Sequence, residues 1–242
     1  MKLYVYCLVE GVTTLDHPPK GISNAPVRLL PIDNLAVLVS ELDTDTVSVT
    51  RDNALAHATV VRSVLNRTTP LPFRFGTLVT EQQLRSYSST HKQALETNLA
   101  VVRDCIEMSV KIIWSVSAAN ESEGEQQSSQ NEQGVGARFL EERRQKLLGD
   151  ERRVAEAAEI SGWLHESVSG LARDERITTR PSEKLVLAAA YLIERTKMDH
   201  FRDKIAETAA ARPQLHFLLS GPWAPYSFAN IELEFKTRFG VS

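Results

Sequence analysis

What this sequence has little of narrows it quickly. Only two cysteines, Cys7 and Cys105, stand in 242 residues. Two cannot build a disulfide framework, and both sit among apolar neighbours, so they read as reduced core thiols. Long hydrophobic runs are missing. The longest, Leu185 to Ile193, falls far short of the ~20 residues a spanning helix needs. A surplus of positive charge is missing too. The formal net charge is −3, whereas chains that live on phosphate backbones carry a basic excess. Neither nucleic acid nor a membrane is expected as a partner.

Recognisable chemistry is equally scarce. His17, His57, His91, His165, His200 and His216 show no metal-ligand spacing, and no cysteine cluster accompanies them. Asp199-His200, the one adjacent acid–histidine pair, reads as a helix surface. Gly134-Val135-Gly136 lacks the third glycine of a dinucleotide fingerprint and follows an acidic polar tract rather than a strand. There is no phosphate-loop sequence and no Gly-x-Ser-x-Gly elbow. Glu141-Glu142-Arg143-Arg144 and Glu151-Arg152-Arg153 mix both signs, as a solvated helix face does. These residues assign no catalytic residue, metal ligand or cofactor, and the sequence neither excludes nor supports a Cys–His pair formed in space by Cys7 or Cys105.

What is present is ordinary globular patterning. Hydrophobic residues make up 42% of the chain and charged residues 24%, which is enough for a buried core. Residues 2–9 form a first strand; its apolar run stops at Glu10 without a cleavage site, so it is not a signal peptide. The chain is therefore expected to stay in the cytoplasm. Val27 to Leu30 and Leu35 to Val39 read as further strands around Pro31, Asp33 and Asn34. A helix from Thr50 places Leu55, Ala58, Val61 and Leu65 on one face and ends before Pro70. Thr80 and Gln83 fit a capping box that opens a second helix, with a stripe of Leu84, Tyr87, His91, Leu95, Leu99 and Val102.

The second half is organised differently. Met108 to Val116 reads as a strand. Residues 118–136 are polar, with Glu121, Glu123, Glu125 and Glu132 repelling one another, and form an expected mobile loop. A helical region follows over 137–172, with Gly149 and Gly162 as possible dividers and a stripe of Ala157, Ile160, Leu164, Val168 and Leu171. Arg176 to Arg180 and Lys184 to Glu194 read as strands around Pro181, although Leu187 to Ala190 also suits a helix. Met198, Phe201, Ile205 and Ala209 mark another helix, and Leu215 to Leu219 a final strand. The order β-α-β-β-α-β is ferredoxin-like. Ile113 and Leu218 are expected on neighbouring buried strands.

Two patches stand out. In Pro70-Leu71-Pro72-Phe73-Arg74-Phe75-Gly76 the two rings share one side, so Arg74 must find a carboxylate or solvent. Gly221-Pro222-Trp223-Ala224-Pro225-Tyr226-Ser227-Phe228 stiffens three aromatics between prolines. Trp223, Tyr226 and Phe228 either close a seam between domains or grip an apolar partner.

These patches carry a resemblance. Together with Leu3-Tyr4-Val5-Tyr6, Ser109-Val110-Lys111-Ile112-Ile113-Trp114 and Ala189-Ala190-Tyr191-Leu192-Ile193, they resemble the GvpF/GvpL family of gas vesicle proteins, in the family's order and over nearly the whole chain. The resemblance implies an α+β fold of two domains. An N-terminal α+β domain would span 1–106. A modified ferredoxin-like βαββαβ domain would span 107–221, with its polar loop at 118–136. The tail, 222–242, would pack on the N-terminal domain or the seam. The resemblance also implies a non-enzymatic accessory or minor structural protein, associated with the gas vesicle, that binds the hydrophobic shell subunit or other gas vesicle proteins during assembly. It brings no cofactor. Phe73, Arg74, Phe75, Trp223, Tyr226 and Phe228 are the candidate contact or seam residues. The alternatives are an uncharacterised enzyme with a ferredoxin-like domain and a scaffold that binds only other accessory proteins.

Overall fold

The computed structural model describes residues 1–115, 135–179, 181, 182 and 184–231. Residues 118–134 of the expected loop lie outside the described residues, and Val135 and Gly136 are already helical. The chain is mixed α/β with two sheets and divides into two units. One comprises Met1–Glu107 with Pro222–Ser242, the other Met108–Gly221.

The first unit is built on β1 (Lys2–Glu10). It pairs antiparallel with β3 (Leu35–Leu42), β4 (Leu71–Pro72) and β5 (Leu78–Val79), and β3 pairs in turn with β2 (Arg28–Ile32). β2 is the outermost strand, a position that tolerates Pro31 because a proline cannot donate to a ladder. Asp33 takes a left-handed φ of 52° in the hairpin turn. Every residue from Leu3 to Val9 is buried.

A register shift between Val5 and Cys7 explains how one core uses both parities of β1. Side chains of a regular strand alternate, so Tyr4 and Tyr6 should oppose Cys7 and Val9. The extra residue flips the parity, and all four enter one cluster with Ile22, Leu38, Val60, Val61 and Val64.

The helices of this unit correct two expectations. In α1 (Arg51–Leu65), capped by Thr50, the buried face is His57, Val60, Val61, Val64 and Leu65. Leu55 and Ala58, expected inside, are exposed. A histidine was not counted as apolar in the periodicity, which rotated the stripe. The expected capping box is present: Thr80 Oγ1 accepts from Gln83 N–H, and Gln83 Oε1 from Thr80 N–H. The single helix beyond it is two, α2 (Glu81–Thr90) and α3 (Lys92–Val102), broken at His91. The His91 ring stacks on Tyr87 at 4.3 Å and its Nδ1 lies 3.0 Å from the Tyr87 carbonyl oxygen. Such local bonding competes with the helix ladder.

The second unit orders its elements as β6 (Cys105–Trp114), α4 (Val135–Ser167), β7 (Ala172–Thr178), β8 (Leu185–Glu194), α5 (Met198–Ala210) and β9 (Leu215–Trp223). The sheet order is β7-β8-β6-β9. α4 runs unbroken through Gly149 and Gly162 and ends before β7, which starts earlier than expected. Ala157, Ile160 and Leu164 of α4, and Val168 just beyond it, pack inward, as do Phe201 and Ile205 of α5.

The ambiguous segment is a strand: β8 lies between two neighbours, and that placement outweighs the helix propensity of its alanines. Its odd-numbered face includes Tyr191, 5.3 Å from Phe201. On the other face Val186 and Leu192 are buried while Ala188 and Ala190 are half-buried. β9 continues through Gly221 and Pro222, where a stop was expected. β6 and β9 are neighbours, but the inward phase is Ile112 and Leu215; Ile113 is half-buried and Leu218 is 54% exposed. A one-residue error in strand phase reverses every side chain.

Candidate functional site

The densest polar–aromatic arrangement lies within the first unit. Tyr4 and Tyr6 leave β1 with ring centroids 4.8 Å apart. His57 comes from α1, edge-on to Tyr4 at 5.8 Å and 5.7 Å from Tyr6. Phe75 and Tyr226 flank His57 at 5.9 and 6.1 Å.

Hydrogen bonds join these groups. Gly76 N–H donates to the Tyr4 hydroxyl at 3.1 Å. The same hydroxyl shares a hydrogen bond with His57 Nδ1, 2.9 Å away, whose direction follows the imidazole tautomer. His57 Nε2 is buried without a hydrogen-bond partner among the described residues. Burial holds the imidazole down at a pKa of about 4, because a low dielectric disfavours the charged form. Burial likewise raises the Tyr4 phenol above its ordinary range, against the bond from Gly76, and raises the Cys7 thiol.

Tyr6 anchors a second chain of bonds. It accepts from Ile22 N–H at 2.9 Å and donates to Ser40 Oγ at 3.0 Å, which donates to the Pro26 carbonyl at 2.8 Å. The entry loop fits only because residue 21 is glycine: a Cβ there would stand 2.0 Å from the Tyr6 hydroxyl oxygen.

The motif at 71–76 is a brace for these tyrosines. Leu71 and Pro72 pair with Leu8 and Cys7. Phe73 is buried and donates its N–H to the Tyr6 carbonyl at 2.9 Å. Gly76 adopts φ +84°, a left-handed conformation costly for other residues, and thereby aims its N–H at Tyr4. Arg74 is exposed, the solvent alternative of the two expected for it.

The segment after β9 straps onto the same unit. Ala224, Pro225, Phe228 and Ile231 are buried. Ser227 donates both N–H and Oγ–H to the Glu107 carboxylate at 2.8 Å. Glu107 is itself buried, and burial raises its pKa against those two bonds. Asn98 Nδ2 donates to the Asn230 carbonyl at 3.0 Å. Tyr226 and Trp223 are each 41% exposed.

Of the six candidate residues, Phe75 and Tyr226 thus meet around His57, Phe73 and Phe228 are buried, and Arg74 and Trp223 reach the surface. Tyr4, Tyr6, His57, Glu107 and Ser227 were missed as site residues. Only His57 left a trace, at i, i+3, i+4 and i+7 with Val60, Val61 and Val64. Chemically the cluster is a hydrogen-bonded scaffold with one unpartnered ring nitrogen, and burial holds His57, Tyr4 and Cys7 in their neutral forms. Among the described residues no group of three or more His, Cys, Asp or Glu could hold a metal ion. No described helix is long and apolar enough to cross a membrane.

The family described as gas vesicle synthesis protein GvpL/GvpF matches residues 2–230, and the chain belongs to that family. Particular relatives match over most of their length. Gas vesicle protein L2 of Halobacterium salinarum is 27% identical, over 93% of this chain and 90% of its own. Gas vesicle protein L of a Streptomyces species is 29% identical, over 96% and 94%. The crystal structure of GvpF from Anabaena sp. PCC7120 shares the fold at a TM-score of 0.76 and 22% identity, covering 96% of this chain and 97% of that one.

Proposed function

We propose that this protein is a gas vesicle accessory or minor structural protein that binds the hydrophobic shell subunit, or other gas vesicle proteins, while the vesicle assembles. The observation that carries this is the family match from residue 2 to residue 230. Physical reasoning supports a binding role. A shell that holds gas must present apolar surface, and such a subunit aggregates in water unless another protein covers it.

The second unit is read as a modified ferredoxin-like domain. Its element order and the strand order β7-β8-β6-β9 support that reading. Within the candidate residues, the exposed Trp223, Tyr226 and Arg74 are offered as partner contacts and the buried Phe73 and Phe228 as their support.

Pairwise co-expression and pull-down against each gas vesicle protein of the same system tests the proposal. Capture of the shell subunit is the expected result. Capture of other accessory proteins alone makes the protein a scaffold, and capture of none overturns the proposal.

A further inference from the structure

Glu107 is an acid held where glutamates are rarely found. It belongs to the first unit and is 6% exposed. Glutamates are almost never so buried unless paired, and among the described residues this carboxylate meets no cation. Both of its hydrogen bonds come from one residue, Ser227, whose N–H and Oγ–H each reach a different carboxylate oxygen at 2.8 Å. Burial and those two bonds pull its pKa in opposite directions, and burial prevails. An apolar side chain would fill the same space without the cost of burying a charge. The carboxylate therefore has a task, and the task is at Ser227.

Ser227 sits at the tip of a compact turn. Tyr226 N–H donates to the Ala224 carbonyl at 2.8 Å, and Phe228 N–H to the Pro225 carbonyl at 3.1 Å. On either side of the tip the segment goes inward: Ala224 and Pro225 before it, Phe228 and Ile231 after it, are buried. Tyr226 and Ser227 are exposed. The Tyr226 ring lies 6.1 Å from His57 between centroids and keeps 41% of its surface in water. A ring partly packed and partly free has its pose chosen before a partner arrives. Large amphipathic rings contribute most to binding when they are held in advance. A backbone anchored at the neighbouring residue supplies that hold.

We propose that Glu107 is a positioning residue of the contact surface: by accepting both hydrogen bonds from Ser227 it fixes the turn that presents Tyr226 to a partner. The carboxylate touches no partner itself. It acts through residue 227, and Tyr226 makes the contact. An ionised carboxylate suits this task because it accepts at both oxygens. An amide of the same shape accepts at one, and leaves either the N–H or the hydroxyl of Ser227 unanswered. This rests on the binding role proposed above, in which Tyr226 is a partner contact.

Variants of the full chain test it. Each is followed by capture of the co-expressed shell subunit, or of whichever gas vesicle protein the wild type captures, by melting temperature and by hydrogen exchange at the Ser227 amide. Glu107→Gln should let that amide exchange at least tenfold faster and cut capture at least tenfold. Its melting temperature should stay level or rise, because a buried charge has gone. Ser227→Thr keeps both donors and should capture as the wild type does. Tyr226→Ala should cut capture at least tenfold, and adding Glu107→Gln to it should take nothing further away, since the two act as one. Unchanged exchange at Ser227 in Glu107→Gln overturns the proposal, as does unchanged capture in Glu107→Gln or Tyr226→Ala, or lost capture in Ser227→Thr. A fall in the melting temperature of Glu107→Gln that accounts for its lost capture makes the residue merely structural and overturns it too. A further loss in the double variant does the same, because Glu107 would then act elsewhere. Each of these outcomes leaves the accessory role standing. A wild-type chain that captures no gas vesicle protein overturns the accessory role, and the positioning role with it.

Discussion

Tyr6 and Tyr191 are both fully buried tyrosines on interior strands, one in each unit. Their hydroxyls differ completely. Tyr6 accepts from Ile22 and donates to Ser40, whereas the Tyr191 hydroxyl has no partner among the described residues. In the first unit the tyrosine is a structural joint that ties a loop, a strand and a hairpin together. In the second it is a large apolar filler against Phe201 that carries an oxygen along. The same residue type therefore stabilises by hydrogen bonding in one place and by area in the other, and the two contributions respond to different perturbations.

The comparison can be broken most severely at Gly21. Gly21→Val forces a side chain into the space of the Tyr6 hydroxyl, and the first unit is expected to lose more than ~3 kcal/mol or fail to fold. A cooperative melt close to wild type would show that the loop simply moves aside.

Acid should distinguish the units next. His57 has a folded pKa of about 4 against an ordinary 6.5. The unfolded chain therefore takes up a proton first as pH falls, and the folded state loses stability from pH ~6.5 down to ~4, by about 3 kcal/mol. Glu107 works the other way, because its raised pKa favours the protonated folded form at low pH. Denaturant titrations at pH 7 and pH 4 should show a smaller acid loss for His57→Phe than for wild type. Identical losses would mean that His57 is protonated in the folded protein.

The tyrosine pair itself gives a smaller and sharper contrast. Tyr6→Phe leaves Ile22 N–H buried without its acceptor and should cost ~1–3 kcal/mol. Tyr191→Phe removes an unpartnered oxygen and should be neutral or slightly stabilising. Equal effects in chemical denaturation would erase the distinction. Smallest of all, Leu218→Asp should shift stability by no more than ~0.5 kcal/mol, since the side chain is mostly in water.

Much of this was legible in the residues. The apolar run of β3, the Thr80 box, the α5 stripe and the element order of the second unit all rest on local composition, local periodicity or bonds between near neighbours, which sequence records directly. The candidate site was legible only in pieces. Phe75 and Tyr226 were singled out for being aromatic, yet nothing local connects either of them to His57. A lone histidine on a helix carries no mark of burial until a tyrosine hydroxyl from a strand 53 residues earlier occupies its Nδ1.

By itself, then, the sequence determined that this is a mixed α/β chain with no membrane-spanning run, the order of strands and helices in its second unit, and its resemblance to the gas vesicle family, because these follow from composition, periodicity and motif. Tertiary structure decided which faces point inward. The shift at Tyr6 brings both parities of β1 into one core, Leu55 and Leu218 turn out to water, and Glu107 comes to hold Ser227 from 120 residues away. Those outcomes depend on register and on long-range pairing, and neither is set by any residue together with its neighbours in the chain.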